Sequence, residues 1–226
     1  MDKFLNQIIC GDCLEVMPQI PDKSVDMILC DIPYDEVNMD SNGLRLLDKG
    51  LADTLDFDLN SFLVEILRIC QGSFYVFCGI EQVSIIRKTF KENGLSTRHC
   101  VWEKTNPSPM NGQHLWLSSI ENCIYAKKPG TYFNEMCKSS VWRYPCGSSK
   151  QHPTEKPLSM FEYLAYTSCP KDGIIFDPCI GSGTTAIAAL NTGRFFIGIE
   201  KEPKYVEIAR KRVEQAQTQQ RLFAEA

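Results

Sequence analysis

The sequence predicts a doubly wound, Rossmann-like α/β domain: a seven-stranded, mostly parallel sheet with helices on both faces. Three observations carry that reading. Short apolar runs rich in Ile, Val, Phe and Tyr recur along the chain, and helical patterns separate them. One stretch, IIFDPCIGSGTTAIAALNTGRFFIGIE, has the layout of a βαβ nucleotide site. At 226 residues the chain fits a single domain, 1–226.

The seven strands expected, in order, are Gln7–Cys10, Asp26–Asp31, Ser73–Cys78, Arg98–Glu103, Asn122–Lys127, Gly173–Asp177 and Phe195–Ile199. Helices are expected over Leu59–Cys70, over Glu81–Asn93 with Gly94 as its stop, over Ser159–Ser168, over Thr184–Asn191, and from Pro203 onward, where proline suits a first turn. The tail, 216–226, drifts to a polar composition and is expected to be flexible.

Apolar residues make up 43% and charged residues 23%, which excludes disorder, collagen and coiled coil. No apolar stretch reaches the ~18 residues that span a bilayer, and the N-terminus lacks the pattern of a signal peptide. An intracellular protein is expected. Its eleven cysteines are odd in number and scattered, so reduced thiols are expected; Cys10 and Cys13 have metal or redox spacing but no second pair, and no metal is implied.

The net charge of −4 excludes a generally basic nucleic-acid binder, yet charge is unevenly spread. Asp31 to Ile69 holds nine acids against three bases, whereas Arg98 to Gln151 holds seven bases against three acids. The second stretch interleaves Lys104, Lys127, Lys128, Lys138, Arg143 and Lys150 with Trp102, Trp116, Tyr125, Tyr132, Phe133, Trp142 and Tyr144. Such a patch can neutralise phosphates while stacking on unpaired bases. A solvated face over an ordinary core has the same composition.

In the βαβ stretch, Asp177 precedes a Gly181-Ser182-Gly183 loop, and Glu200 ends the next strand 19 positions after Gly181. Glycines let backbone approach a ligand, and an acid at that distance suits ribose hydroxyls. The third glycine of a dinucleotide fingerprint is missing. Asp177 would repel a pyrophosphate but suits an ammonium or sulfonium, as in S-adenosylmethionine.

A second constellation is the strand ending in Asp31-Ile32-Pro33-Tyr34. An exocyclic amine of adenine or cytosine is conjugated with its ring and is a poor nucleophile. A carboxylate and a backbone carbonyl accepting its two hydrogens would hold it pyramidal, with its lone pair aimed at a methyl group. Asp31 and the carbonyl of residue 32 fit those parts, and Tyr34 could stack on a flipped base.

With HPTEKP at His152–Pro157 between them, these elements resemble the amino-group DNA methyltransferases with a D-P-P-Y-type tetrapeptide, in the permuted, beta-group order. Gly11-Asp12, the WEK at Trp102–Lys104, Glu121, GIE and the helix after Tyr205 extend the resemblance over nearly the whole chain. It implies a class I methyltransferase fold with circularly permuted strands, the third conventional strand first and the first two last. It also implies S-adenosylmethionine as cofactor and double-stranded DNA as substrate, in the cytoplasm of a bacterium or phage-infected cell. Catalysis falls to Asp31, Ile32, Pro33 and Tyr34. Asp177, Pro178, Cys179, Gly181, Ser182, Gly183 and Thr184 would cradle the methionine part, Glu200 with Lys201 would hold the ribose side, Asp12 the adenine and Lys156 the cofactor carboxylate. A target-recognition insertion is expected within 104–150, short enough to suggest a relaxed target or a homodimer that shares the reading.

The sequence departs from that pattern twice. Ile32 replaces the usual proline, which loosens the backbone, and Cys179 replaces the usual phenylalanine, which removes an aromatic wall beside the cofactor. An aspartate at the head of the tetrapeptide resembles the adenine-N6 members, so N6-adenine in DNA is the expected target. Cytosine N4, adenine in RNA and an inactive binding module are the alternatives. The tail's Gln219, Leu222 and Phe223 resemble a sliding-clamp docking peptide; a fraying helix is the alternative.

Overall fold

The computed structural model describes residues 1–34, 57–109, 112–147 and 156–224, with side chains described as far as Gln220. Its strands are β1 (Gln7–Cys10), β2 (Val25–Asp31), β3 (Cys70–Cys78), β4 (Ser96–Lys104), β5 (Ile120–Lys127), β6 (Val141–Tyr144), β7 (Ile174–Asp177) and β8 (Phe195–Glu200). The helices are α1 (Cys13–Val16), α2 (Leu59–Ile69), α3 (Val83–Glu92), α4 (Leu158–Ser168), α5 (Thr184–Asn191) and α6 (Pro203–Ala224).

All seven expected strands are present, but among the described residues the sheet has eight, in the order β1-β8-β7-β2-β3-β5-β4-β6. The unexpected member is β6, whose four residues pair in parallel with Val101–Lys104. Its Trp142 is buried against Tyr75 and Phe77. Among the described strands, only β5 runs antiparallel to its neighbours. The short α1 was also not expected; Asp12 caps it by accepting the amide of Leu14 at 2.9 Å. The polar tail does not end the last helix, since α6 continues to Ala224.

The central strands alternate between two cores, as the period of two requires. Met27, Leu29, Tyr75 and Phe77 face one side with α4, α5 and α6. Ile28, Cys30, Phe74 and Val76 face the other with Phe62 and Ile66 of α2 and Phe90 of α3. The strand order reverses between β7 and β2, which pair through Met27–Ile175 and Ile28–Phe176. A crevice beyond the carboxyl ends of strands at such a switch point is where open α/β sheets bind ligands. Asp31 ends β2 there, and the glycine loop follows β7 there.

Candidate active site

Asp31 lies at the rim of the sheet with a partly exposed carboxylate, and each of its oxygens is engaged. The Tyr34 hydroxyl donates to Oδ1 at 2.8 Å, and the Lys156 ammonium donates to Oδ2 at 2.5 Å. Lys156 is 5% exposed and also pairs with Glu121 Oε2 at 2.9 Å. Lys104 pairs with the other Glu121 oxygen at 2.8 Å. The result is a ladder of alternating charge, Asp31–Lys156–Glu121–Lys104. The Lys156 ammonium also lies 5.6 Å from the ring centres of Tyr34 and Phe77 and 6.0 Å from that of Trp102.

Burial is the largest influence on each group. It lifts the Asp31 carboxyl above the usual carboxylate range, with Lys156 opposing and Glu121 reinforcing. Burial alone would also lift Glu121, but Lys156 and Lys104 overcome it and hold that carboxyl down at about 2. Burial alone would depress Lys156, and the two carboxylates reverse that, so its ammonium is held charged well above the ordinary lysine range.

The backbone of the tetrapeptide is fastened rather than loose. The Ile32 amide donates to the carbonyl of Phe77 at 3.1 Å, extending the ladder between β2 and β3 by one residue. Its side chain is 2% exposed, so packing supplies the restraint that a proline ring would give. The looseness expected from replacing proline is therefore absent. The Pro33 carbonyl accepts from Nε2 of buried Gln82 at 2.9 Å, while Gln82 Oε1 accepts the Gly79 amide at 2.9 Å. Sequence reasoning missed Gln82, because its link to Pro33 crosses 49 positions. Glu121 carried no role, because its value lies in lysines from two other segments.

The glycine loop adjoins this cluster. Asp177, 3% exposed, accepts the Cys179 amide at 3.0 Å and the Thr185 hydroxyl at 2.5 Å. Burial, the dominant influence, pushes its carboxyl up to about 7 despite those bonds. Gly181 has φ +52° and Gly183 φ +91°, and a side chain at Gly183 would meet Ala209 of α6 at 3.0 Å. The loop amide of Gly181 donates to Glu200 Oε2 at 2.9 Å, and the Glu202 amide donates to Oε1 at 2.8 Å, which fixes that carboxylate at the end of β8. Ser182 is held through its carbonyl and hydroxyl by Arg212 at 2.8 and 2.9 Å. Pro178 and Thr184 are buried at the two ends of the loop, and Cys179 lies beside Cys13 of α1. Lys201 pairs with Asp12 at 3.1 Å, joining the two residues expected at the nucleoside end. A buried carboxylate of raised pKa beside a glycine cradle, with a second carboxylate one strand over, fits a cationic amino-acid group joined to a ribose.

The expected nucleic-acid residues do not form one surface. Lys104 is turned into the charge ladder. Lys128 donates to the carbonyls of Leu67 and Cys70. Arg143 pairs with Glu103 at 3.0 Å on the edge strands. Lys127 and Lys138 lie toward the opposite end of the sheet, and Lys150 lies outside the described residues. Of the interleaved aromatics, Trp102, Tyr125 and Trp142 are core residues, whereas Trp116, Tyr132 and Phe133 are exposed. Gln219 lies on α6, and the side chains of Leu222 and Phe223 lie outside the description.

A family model described as DNA methylase, of the N6/N4 methyltransferases, matches residues 25–211. The chain belongs to that family. It is an S-adenosylmethionine-dependent DNA methyltransferase with the class I fold. The methylase is 30% identical to the type II methyltransferase M2.MboI of Moraxella bovis, over 93% of this chain and 88% of that protein. It is 30% identical to M.HinfI of Haemophilus influenzae, over 94% and 69% respectively. Among solved structures, the complex of M1.HpyAVI with S-adenosylmethionine superposes with a TM-score of 0.71 at 28% identity, covering 91% of this chain and 98% of that one. The cytosine-N4-specific PvuII methyltransferase shares the fold, with a TM-score of 0.73 at 16% identity over 90% and 84%.

Proposed function

We propose that this methylase transfers its methyl group to the N6 amine of a specific adenine turned out of double-stranded DNA. The observation that carries the reading is Asp31, an aspartate at the rim of β2 beside the β7 loop, with only a neutral hydroxyl covering one of its oxygens. S-adenosylmethionine, when bound, supplies the electrophilic methyl. Asp177 and the 177–184 loop hold its methionine part, Glu200 and Lys201 its ribose, and Asp12 its adenine; Lys156, expected from the sequence at the cofactor carboxylate, has its ammonium paired with Asp31 and Glu121.

At Asp31 the bond from Lys156 joins two opposite charges, whereas Tyr34 donates from a neutral hydroxyl and is the weaker-held partner. An arriving amine therefore displaces the Tyr34 hydroxyl. One amine hydrogen goes to Asp31 Oδ1 and the other to the Ile32 carbonyl, which concentrates the nitrogen lone pair on one side. The Tyr34 ring, released at its hydroxyl, stacks on the base. As the nitrogen–carbon bond forms, the sulfur–methyl bond breaks with its electron pair left on sulfur; the nitrogen becomes cationic, the Asp31 carboxylate stabilises that charge, and the amine proton passes to Asp31 Oδ1 and from there to water.

Within the 104–150 range expected for target recognition, we assign the reading to the segment between β4 and β5. Lys104 ends β4 inside the catalytic cluster, and Leu115 and Trp116, 70% and 100% exposed, follow it at the same edge of the sheet. Apolar and aromatic groups that solvent leaves bare suit the wedge and stacking work of extracting a base.

The test is reaction of the purified methylase with labelled S-adenosylmethionine and unmethylated genomic DNA, then digestion to nucleosides. Label is expected in N6-methyldeoxyadenosine. Label in N4-methyldeoxycytidine would keep the mechanism and overturn the base; label in RNA alone would overturn the substrate.

A further inference from the structure

A second feature lies at the other end of the sheet. Because β6 pairs with Val101–Lys104, the first half of β4, from Ser96 to Cys100, has no outer neighbour among the described residues. A cleft of about 680 Å³ opens there at the bare edge of the sheet, lined from one face by α3 and from the other by α4, Tyr75 of β3, Tyr125 and Lys127 of β5 and Trp142 of β6, with β4 and the chain before β6 between them. Asp31 is in register with Phe77, Cys123 and Cys100, whereas Ser96 and Lys127 lie four residues back along the strands, roughly 13 Å at about 3.3 Å per residue, and three strands to the side, so the cation-bearing end of the cleft lies apart from the Asp31 cluster.

Five cations line the cleft: Arg87 and Lys91, one turn apart on α3, Arg98 on β4, Lys127 on β5, and Lys138. Among the described residues no carboxylate lines it, although Glu135 stands behind Tyr163 and Lys138. Glu135 lies 3.7 Å from Lys138, and among the described residues the other four have no ion-pair partner. Five like charges gathered on a chain of net charge −4 repel one another unless an anion offsets them. Beside them, Phe133 is 43% exposed with the Lys127 ammonium 5.6 Å from its ring, and Tyr163 stands across the cleft. The hydroxyls of Ser139 and Ser140 add hydrogen-bonding groups. The volume is that of an ordinary small-ligand site.

We infer that this cleft binds a phosphate ester carrying an aromatic ring, a nucleotide being the simplest. The cations hold the phosphate and Phe133 takes the ring. The site is independent of the base methylated at Asp31.

The experiment is calorimetric titration of the full chain, saturated with S-adenosylhomocysteine so that the cofactor site is filled, with AMP, adenosine and inorganic phosphate. AMP is expected to bind with a Kd below about 1 mM, phosphate more weakly, and adenosine least. The Arg87→Ala/Lys91→Ala double variant, altered only on the exposed face of α3, is expected to weaken AMP about tenfold with S-adenosylhomocysteine binding unchanged. Absence of AMP binding, equal binding of adenosine and AMP, or an unaltered Kd in the double variant would each overturn the site. Oligothymidylate binding that the double variant abolishes, without AMP binding, would overturn the small ligand in favour of a nucleic-acid strand.

Discussion

Lys156 Nζ sits 2.5 Å from Asp31 Oδ2, across 125 positions of sequence, and 2.9 Å from Glu121. The lysine is the shared counter-ion of two carboxylates that burial pushes toward higher pKa. Lys156→Gln leaves both facing each other without their common cation. Removing one partner of a buried pair costs about 3–5 kcal/mol. The Asp31 carboxyl then rises further, and a raised carboxyl loses its ionised form as pH falls through that higher value. The variant is expected to be nearly inactive at neutral pH with the acid limb of its rate profile moved upward. A profile of wild-type shape at lower amplitude would show that Lys156 does not tune Asp31.

Tyr34 covers Asp31 with its hydroxyl while its ring is the group assigned to the base, and the two roles separate by substitution. Tyr34→Phe removes a competitor for the Asp31 oxygen and keeps the ring, so kcat/KM is expected to stay within about threefold. Tyr34→Ala removes the platform; base stacking contributes about 1–3 kcal/mol, so a loss of roughly ten- to a hundredfold is expected. Steady-state kinetics on a duplex carrying the target decide it, and equal losses in both variants would assign the hydroxyl, not the ring, to the reaction.

The contrast between these residues explains what was legible in the sequence. Asp31, the 177–183 loop and Glu200 are read from local order, because a strand, a tight turn and a second strand leave a period and glycines at fixed offsets. Three other features leave no such trace. β6 is four residues long, too short to show alternation, so Trp142 resembled a surface aromatic until its contacts with Tyr75 and Phe77 placed it in the core. Lys104 counted toward a basic patch because composition does not reveal that Glu121 draws it inward. Gln82 clamps the Pro33 carbonyl from another element, and only the closed sheet brings them together.

Ile32 is where a family pattern and the physics of this chain diverge. Restoring proline by Ile32→Pro deletes the amide bonded to the Phe77 carbonyl and replaces a fully packed side chain with a smaller ring. The lost hydrogen bond costs about 1 kcal/mol, and the shrunken core residue costs about as much again or more. Ile32→Pro is therefore expected to unfold at lower denaturant concentration and to gain no activity. Equilibrium urea unfolding measures the first; a variant more stable than the parent would show that φ restriction outweighs the ladder bond.

Asp177 couples proton binding to cofactor binding. Its carboxyl ionises at 3.8 as a free side chain and at about 7 in the fold, with burial as the main cause. The native state thus holds a proton that the unfolded chain releases earlier, so the group's contribution to stability is greatest below about pH 4 and declines as pH rises to about 7. A cationic amino-acid group beside Asp177 requires the ionised form, so binding below about pH 7 expels a proton. S-adenosylmethionine affinity is expected to fall about tenfold per unit of pH below 7 and to level off above it. Calorimetry in buffers of different ionisation heat should show close to one proton released at pH 6 and almost none at pH 8. Asp177→Asn, of nearly the same shape and without a charge to desolvate, is expected to bind the cofactor more weakly at pH 8, with an affinity indifferent to pH between 5.5 and 8. A wild-type affinity that is flat over that range would remove Asp177 from contact with the cation.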